Sequence, residues 1–174
     1  MNETKSIVLI GMMGAGKSSV GRSLQRRTGL ARLDTDEMVS ARFGTPITEI
    51  FAKQGETQFR EAETDTLRKL APDRPAIIVT GGGIVLRSEN VDLLKRLGTI
   101  VWLSVDEATL FERASRRNDR PLLQTENPRA VFSELFRQRD PLYAAAADLR
   151  IDTSNKDHDE VADAILVKLE QLAP

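Results

Sequence analysis

The sequence has no cysteine among its 174 residues. That excludes disulfides and thiolate metal centres. Histidine is nearly absent too. His158 is the only one, and it stands in the polar stretch 153–160, where a solvated loop position is the expected reading. With no thiolate and a single imidazole, any metal must be held by oxygen ligands, which points to Mg²⁺. Aromatic residues are few, and the single tryptophan and tyrosine, Trp102 and Tyr143, read as packing residues. Neither sign of charge dominates: 25 lysines and arginines stand against 26 aspartates and glutamates. A nucleic-acid binder would carry a basic excess, so nucleic acid is not an expected partner and anion sites must come from local clusters. No apolar run approaches the length that crosses a bilayer. Residues 1–6 are short and polar, with no signal- or transit-peptide pattern. The expectation is a cytoplasmic protein with no membrane partner.

What is present is an alternation. Short runs rich in Ile, Val and Leu (Ile7–Ile10, Ala31–Leu33, Ala76–Thr80, Ile100–Ser104 and Leu149–Ile151) are separated by longer amphipathic segments. The runs are nearly continuous in apolar residues, as strands buried on both faces are. The last segment carries Val161, Ile165, Leu169 and Leu172 on one helical stripe. Strand–helix alternation at this spacing implies an α/β fold with a parallel sheet covered by helices. The length suits one domain spanning 1–174.

The first strand runs into Gly11-Met12-Met13-Gly14-Ala15-Gly16-Lys17-Ser18. This is G-x-x-x-x-G-K-[ST] between a strand and a helix, the context in which it forms a phosphate cradle. Glycines let successive backbone N–H groups turn inward onto phosphate oxygens, and the following helix adds the positive end of its dipole. Lys17 can reach the β- and γ-phosphates, and the Ser18 hydroxyl can ligate Mg²⁺. A GTPase would need a guanine-reading N-K-x-D element. Asn155-Lys156-Asp157-His158 fails it at the fourth position, so a small kinase fits better than a switch.

Other residues invite roles beside the cradle. Asp34-Thr35-Asp36 follows the second strand. If extended, it presents both carboxylates to one side; the alternative is a helix N-cap at this point. Arg60 and Glu63 share a helical face, either as a surface ion pair or with Glu63 orienting the Arg60 fork toward a carboxylate. Gly81-Gly82-Gly83 directly follows a strand. Arg113, Arg116, Arg117 and Arg120 lie before and inside a polar, proline-containing stretch that reads as a surface loop or as a lid over about 114–126. Arg139 stands in Arg137-Gln138-Arg139-Asp140-Pro141-Leu142-Tyr143, expected to end a helix near its proline.

The ordered set GMMGAGKSS, LDTD, IFAKQGETQFREAE, GGG, RPLL and RQRDPLY resembles shikimate kinase from about Ser6 to Ile151. The resemblance implies a nucleoside-monophosphate-kinase type of P-loop domain, with a five-stranded parallel sheet in the order 2-3-1-4-5 between helices. It implies transfer of the γ-phosphoryl group of ATP to shikimate, assisted by one Mg²⁺, in a monomer. Gly14, Ala15, Gly16, Lys17, Ser18 and Ser19 would hold the nucleotide phosphates. Ser18 and Asp34 would hold the metal, Asp34 through water. Asp36, Arg60, Arg139 and Gly81–Gly83 would bind shikimate, with Glu63 supporting Arg60. Lys17, Asp36 and the lid residue Arg120 would serve the transfer, and Arg113 would pack against adenine. The family often has an arginine on the adenine side after the last strand; here Asn155 or Lys156 takes that place. The rival readings are another small-molecule P-loop kinase, such as a gluconate kinase, and a nucleotide-dependent regulatory module.

Overall fold

The computed structural model describes residues 5–117 and 120–172. Five strands form one parallel sheet: β1 (Ser6–Ile10), β2 (Ala31–Asp34), β3 (Ala76–Val79), β4 (Gly98–Ser104) and β5 (Leu149–Asp152). Their order is β2-β3-β1-β4-β5, as the resemblance implied. β1 lies in the centre, with Val8 beside Ile78 on one side and Ile100 on the other. All three are fully buried, which is why these strands show no polar alternation.

Seven α-helices surround the sheet among the described residues: α1 (Lys17–Thr28), α2 (Thr35–Phe43), α3 (Ile47–Lys69), α4 (Ser88–Leu97), α5 (Glu107–Ser115), α6 (Pro128–Ala146) and α7 (His158–Leu172). α1 and α7 pack together, while α3 packs with α2 and α4. Along α7, Val161 and Ile165 reach the core, but Leu172 is exposed, so the anticipated stripe ends a turn early.

Two helices depart from expectation in ways that matter for the site. α3 is broken at Gly55, whose φ of 80° and ψ of 169° no helix can hold. The break gives the second half, with Arg60 and Glu63, a direction of its own. α6 does not stop at Pro141. It continues to Ala146, although proline removes one N–H from the ladder. Arg139 therefore lies within the helix rather than at its end, and it is only 2% exposed. The lid expectation also shifts. Ala114 and Ser115 still belong to α5, and Ala114 is buried, so the loop following α5 begins at about Arg116, not at 114. It contains a 3₁₀ turn, Pro121–Leu123, that packs against α3 and α6. Residues 118 and 119 lie outside the described residues.

Candidate active site

The cradle is built from backbone. Gly14 and Gly16 both have φ of 87°, a region side chains with a Cβ avoid. Space excludes a side chain at Gly14 as well: a methyl group there would stand 2.7 Å from the Leu110 carbonyl oxygen. Gly16 is the N-cap of α1, so the loop's last amides join the helix's unpaired N–H groups as an anion seat. Lys17 Nζ donates to the carbonyls of Gly11 (2.7 Å) and Met12 (3.0 Å), bridging the loop. Burial, and after it the charge of Arg120, pushes the Lys17 ammonium down to about 7. The charge of Arg120 acts on Asp36 as well, so Arg120 lies near both groups.

Asp34 settles the choice between its two readings. The chain turns helical at Thr35, and Asp34 is the N-cap of α2, its Oδ1 accepting from the amides of Asp36 (3.1 Å) and Glu37 (3.3 Å). The extended arrangement, with both carboxylates presented by a strand, is not formed. Asp is a strong N-cap and the acidic pair that follows suits the helix dipole. Its other oxygen, Oδ2, accepts from Arg32 at 3.2 Å, and Arg32 also holds Glu37. Arg32 was not singled out from the sequence, although its i, i+2 spacing from Asp34 on a strand is a usable signal. With both Asp34 oxygens engaged, contact with a cation through water is the fitting mode. Mg²⁺ keeps several waters, and Ser18 and Asp34 are hard oxygen donors beside the cradle, so the residues fit that ion. Among the described residues, no group of three acidic or imidazole side chains gathers to hold a metal alone.

A second group of charged side chains gathers around the glycine triplet. A methyl group at Gly81 would stand 2.6 Å from Asp36 Oδ1 and 2.9 Å from Glu63 Oε1. One at Gly83 would run into the Arg60 guanidinium, and one at Gly82 would come 3.5 Å from Arg139 Nη1. The triplet leaves room for the protein's own charged groups. Arg60 donates to Glu63 Oε2 at 2.9 Å. The pair is buried, with Glu63 at 0% exposure, and so is not the surface pair the bland reading allowed. Asp36 Oδ1, Glu63 Oε1 and Arg139 Nε are buried without a hydrogen-bond partner among the described residues. Burial pushes the Asp36 carboxyl up, with Asp34 adding to it. Burial likewise pushes Glu63 up, against the opposing charge of Arg60.

Lys17, Asp34, Asp36, Arg60, Glu63, Gly81–Gly83, Arg120 and Arg139 thus form one chain of neighbours beside the cradle. Arg113 stands apart beside the cradle, its Cβ 3.4 Å from the Cβ position of Gly14. Asn155 is in the exposed turn between β5 and α7. His158 is exposed, as expected, but it opens α7, and its ring lies 3.3 Å from the Cβ position of Gly16.

The family model for shikimate kinase matches residues 13–170. A shikimate kinase of Thermodesulfovibrio yellowstonii is 43% identical over 169 residues, 97% of this chain and 97% of that protein. One from Moorella thermoacetica is 48% identical over 157 residues, 90% of each chain. The chain belongs to the shikimate kinase family. A solved shikimate kinase from Acinetobacter baumannii, in complex with shikimate, superposes with a TM-score of 0.92 at 36% identity, covering 98% of this chain and 96% of that one. A gluconokinase from Sinorhizobium meliloti reaches only 0.58 at 21% identity, covering 99% and 95%, and shares the fold alone. No described helix is long and apolar enough to cross a membrane.

Proposed function

We propose that this chain transfers the γ-phosphoryl group of ATP to a hydroxyl of shikimate, giving 3-phosphoshikimate, as a single-domain monomer in the cytoplasm with one Mg²⁺. The observation that carries this reading is Asp36, a carboxylate with a buried oxygen unpartnered among the described residues and under the charges of Lys17, Arg60 and Arg120. The cradle amides and Lys17 take the phosphates. Arg60 and Arg139 take the shikimate carboxylate, whose planar oxygens match a guanidinium fork. Glu63 holds Arg60 in place. Asp36 accepts the acceptor hydroxyl's hydrogen bond and aims its oxygen at the γ-phosphorus; the raised carboxyl suits a group that takes up that proton during transfer.

Phosphoryl transfer passes through a loose transition state, so positioning and charge neutralisation supply most of the acceleration. Arg120 covers the transferring group, and the lid excludes water as it settles. Ser18 directly, and Asp34 through water, would hold Mg²⁺, which when bound neutralises charge on the β- and γ-oxygens. Arg113 and the 155–156 turn flank the adenine. A coupled ADP-release assay with shikimate, gluconate and AMP tests the reading. Turnover with shikimate alone is expected; preference for gluconate or AMP would overturn it.

A further inference from the structure

Tyr143 lies on α6 one turn after Arg139, and at this i, i+4 spacing the two share a face. The sequence marks Tyr143 only as packing, and its ring does pack: it is 1% exposed, with its centroid 6.2 Å from that of Trp102. Its hydroxyl has a more specific place. It donates to the Gly82 carbonyl, lies 3.8 Å from Met12 Sδ and stands beside the Arg139 guanidinium. Gly82 is a junction. A side chain there would meet the Met13 amide at 3.4 Å, Arg139 Nη1 at 3.5 Å and the Gly11 carbonyl at 3.7 Å. Burial pushes the Tyr143 hydroxyl up to about 12, so it remains a donor at every working pH.

A trans peptide directs its C=O and N–H oppositely. Fixing the Gly82 carbonyl on Tyr143 therefore fixes the Gly83 amide on the other face, at the residue that abuts the Arg60 guanidinium. One buried hydroxyl thus sets the peptide that lies between the two arginines. We propose that Tyr143 is a positioning residue for the acceptor site, acting through the Gly82–Gly83 peptide to fix the spacing at which Arg60 and Arg139 receive the carboxylate of shikimate. The proposal rests on the shikimate reading above. It assigns Tyr143 no contact with either substrate.

Tyr143→Phe removes the hydroxyl and keeps the ring, so the packing against Trp102 survives. A filler role and a positioning role both lower thermal stability, because the Gly82 carbonyl loses its buried donor. They differ in the binding split. Positioning predicts that shikimate affinity weakens about ten-fold, the scale of one hydrogen bond. ADP affinity should stay within about two-fold, since the sulfur contact is weak and glycine geometry holds the cradle. Calorimetric titration of each ligand against wild type and variant, at a temperature where circular dichroism shows both folded, reads this directly. Combining Tyr143→Phe with Arg139→Lys should cost less than the sum of the two changes, because both act at Gly82. Unchanged shikimate affinity, equal loss of both ligands, or strict additivity would each overturn the proposal. If instead the wild type failed to phosphorylate shikimate, the parent reading would fall first.

Discussion

The two halves of the cleft are made differently. On the nucleotide side the functional groups are backbone amides, and the side chains nearby have partners: Lys17 bridges two loop carbonyls, and Asp34 is engaged at both oxygens. On the proposed acceptor side the functional groups are side chains, and several keep a buried polar atom with no partner among the described residues. A buried unpaired polar group costs about 1–3 kcal/mol, so the acceptor half carries a standing cost that a bound hydroxyl and carboxylate can relieve. The phosphate seat is generic and shared by many proteins. The proposed acceptor seat is the specific one.

The sharpest test of this contrast is Asp36→Asn. It keeps the size of the side chain and removes the proton acceptor. Turnover is expected to fall by about 10²–10⁴ while ADP affinity stays near wild type. A variant turning over at more than about a tenth of the wild-type rate would place the proton acceptor elsewhere. Next come Arg60→Ala and Arg139→Ala, each expected to weaken shikimate binding roughly ten- to a hundred-fold or more and to leave the nucleotide untouched. Lysine at either position should recover only part, because a point charge cannot reproduce the fork. Loss of nucleotide binding with shikimate retained would move that arginine to the other half.

A pair of glycine substitutions asks whether the division is real. Gly14→Ala forces a Cβ into a left-handed conformation against a carbonyl, costing roughly 1–2 kcal/mol for the conformation alone. It should weaken ADP about ten-fold and spare shikimate. Gly81→Ala, which displaces Asp36 and Glu63, should do the reverse. Isothermal titrations with each ligand decide it, and parallel losses would dissolve the comparison. The smallest effect concerns protons. In the free protein Lys17 titrates near 7. Phosphate charge raises that value, so nucleotide binding above about pH 7 takes up a proton, and affinity falls by at most about ten-fold per pH unit. Calorimetry in two buffers of different ionisation heat should show this uptake, and Lys17→Arg, always charged, should abolish it. An enthalpy independent of buffer would remove Lys17 as the titrating group.

Much of this was legible in the residues. The strands declared themselves because burial on both faces leaves no polar alternation, and the cradle because its glycines and lysine must occur at fixed spacing. What failed was local and what was missed was distant. The Asp34–Asp36 stretch has one composition for two geometries, and the cap prevailed because Thr35 to Phe43 supplies a helix for it to begin. Pro141 looked like a helix end, but α6 runs past it to Ala146 and packs against β4 and the Pro121–Leu123 turn. Arg139 is a fully interior residue for the same reason, and nothing in RQRDPLY by itself shows it. Tyr143 and Gly82 are 61 residues apart, so no window along the chain contains their bond. The Arg60–Glu63 pair was visible as spacing, but only the fold shows it buried.

Asp34 answers to two demands, since it begins α2 and it stands by the cradle. An evolving sequence therefore has two independent reasons to keep an aspartate there. A descendant that abandoned phosphoryl transfer would be released from one of them and still bound by the other, because alanine at an N-cap costs about 0.5–2 kcal/mol. Asparagine caps as well as aspartate does, but it brings no charge to a cation or to Arg32. If Asp34 serves the proposed Mg²⁺, drift from Asp to Asn at this position, with the helix intact, would thus be the first trace of a lineage that has stopped using it.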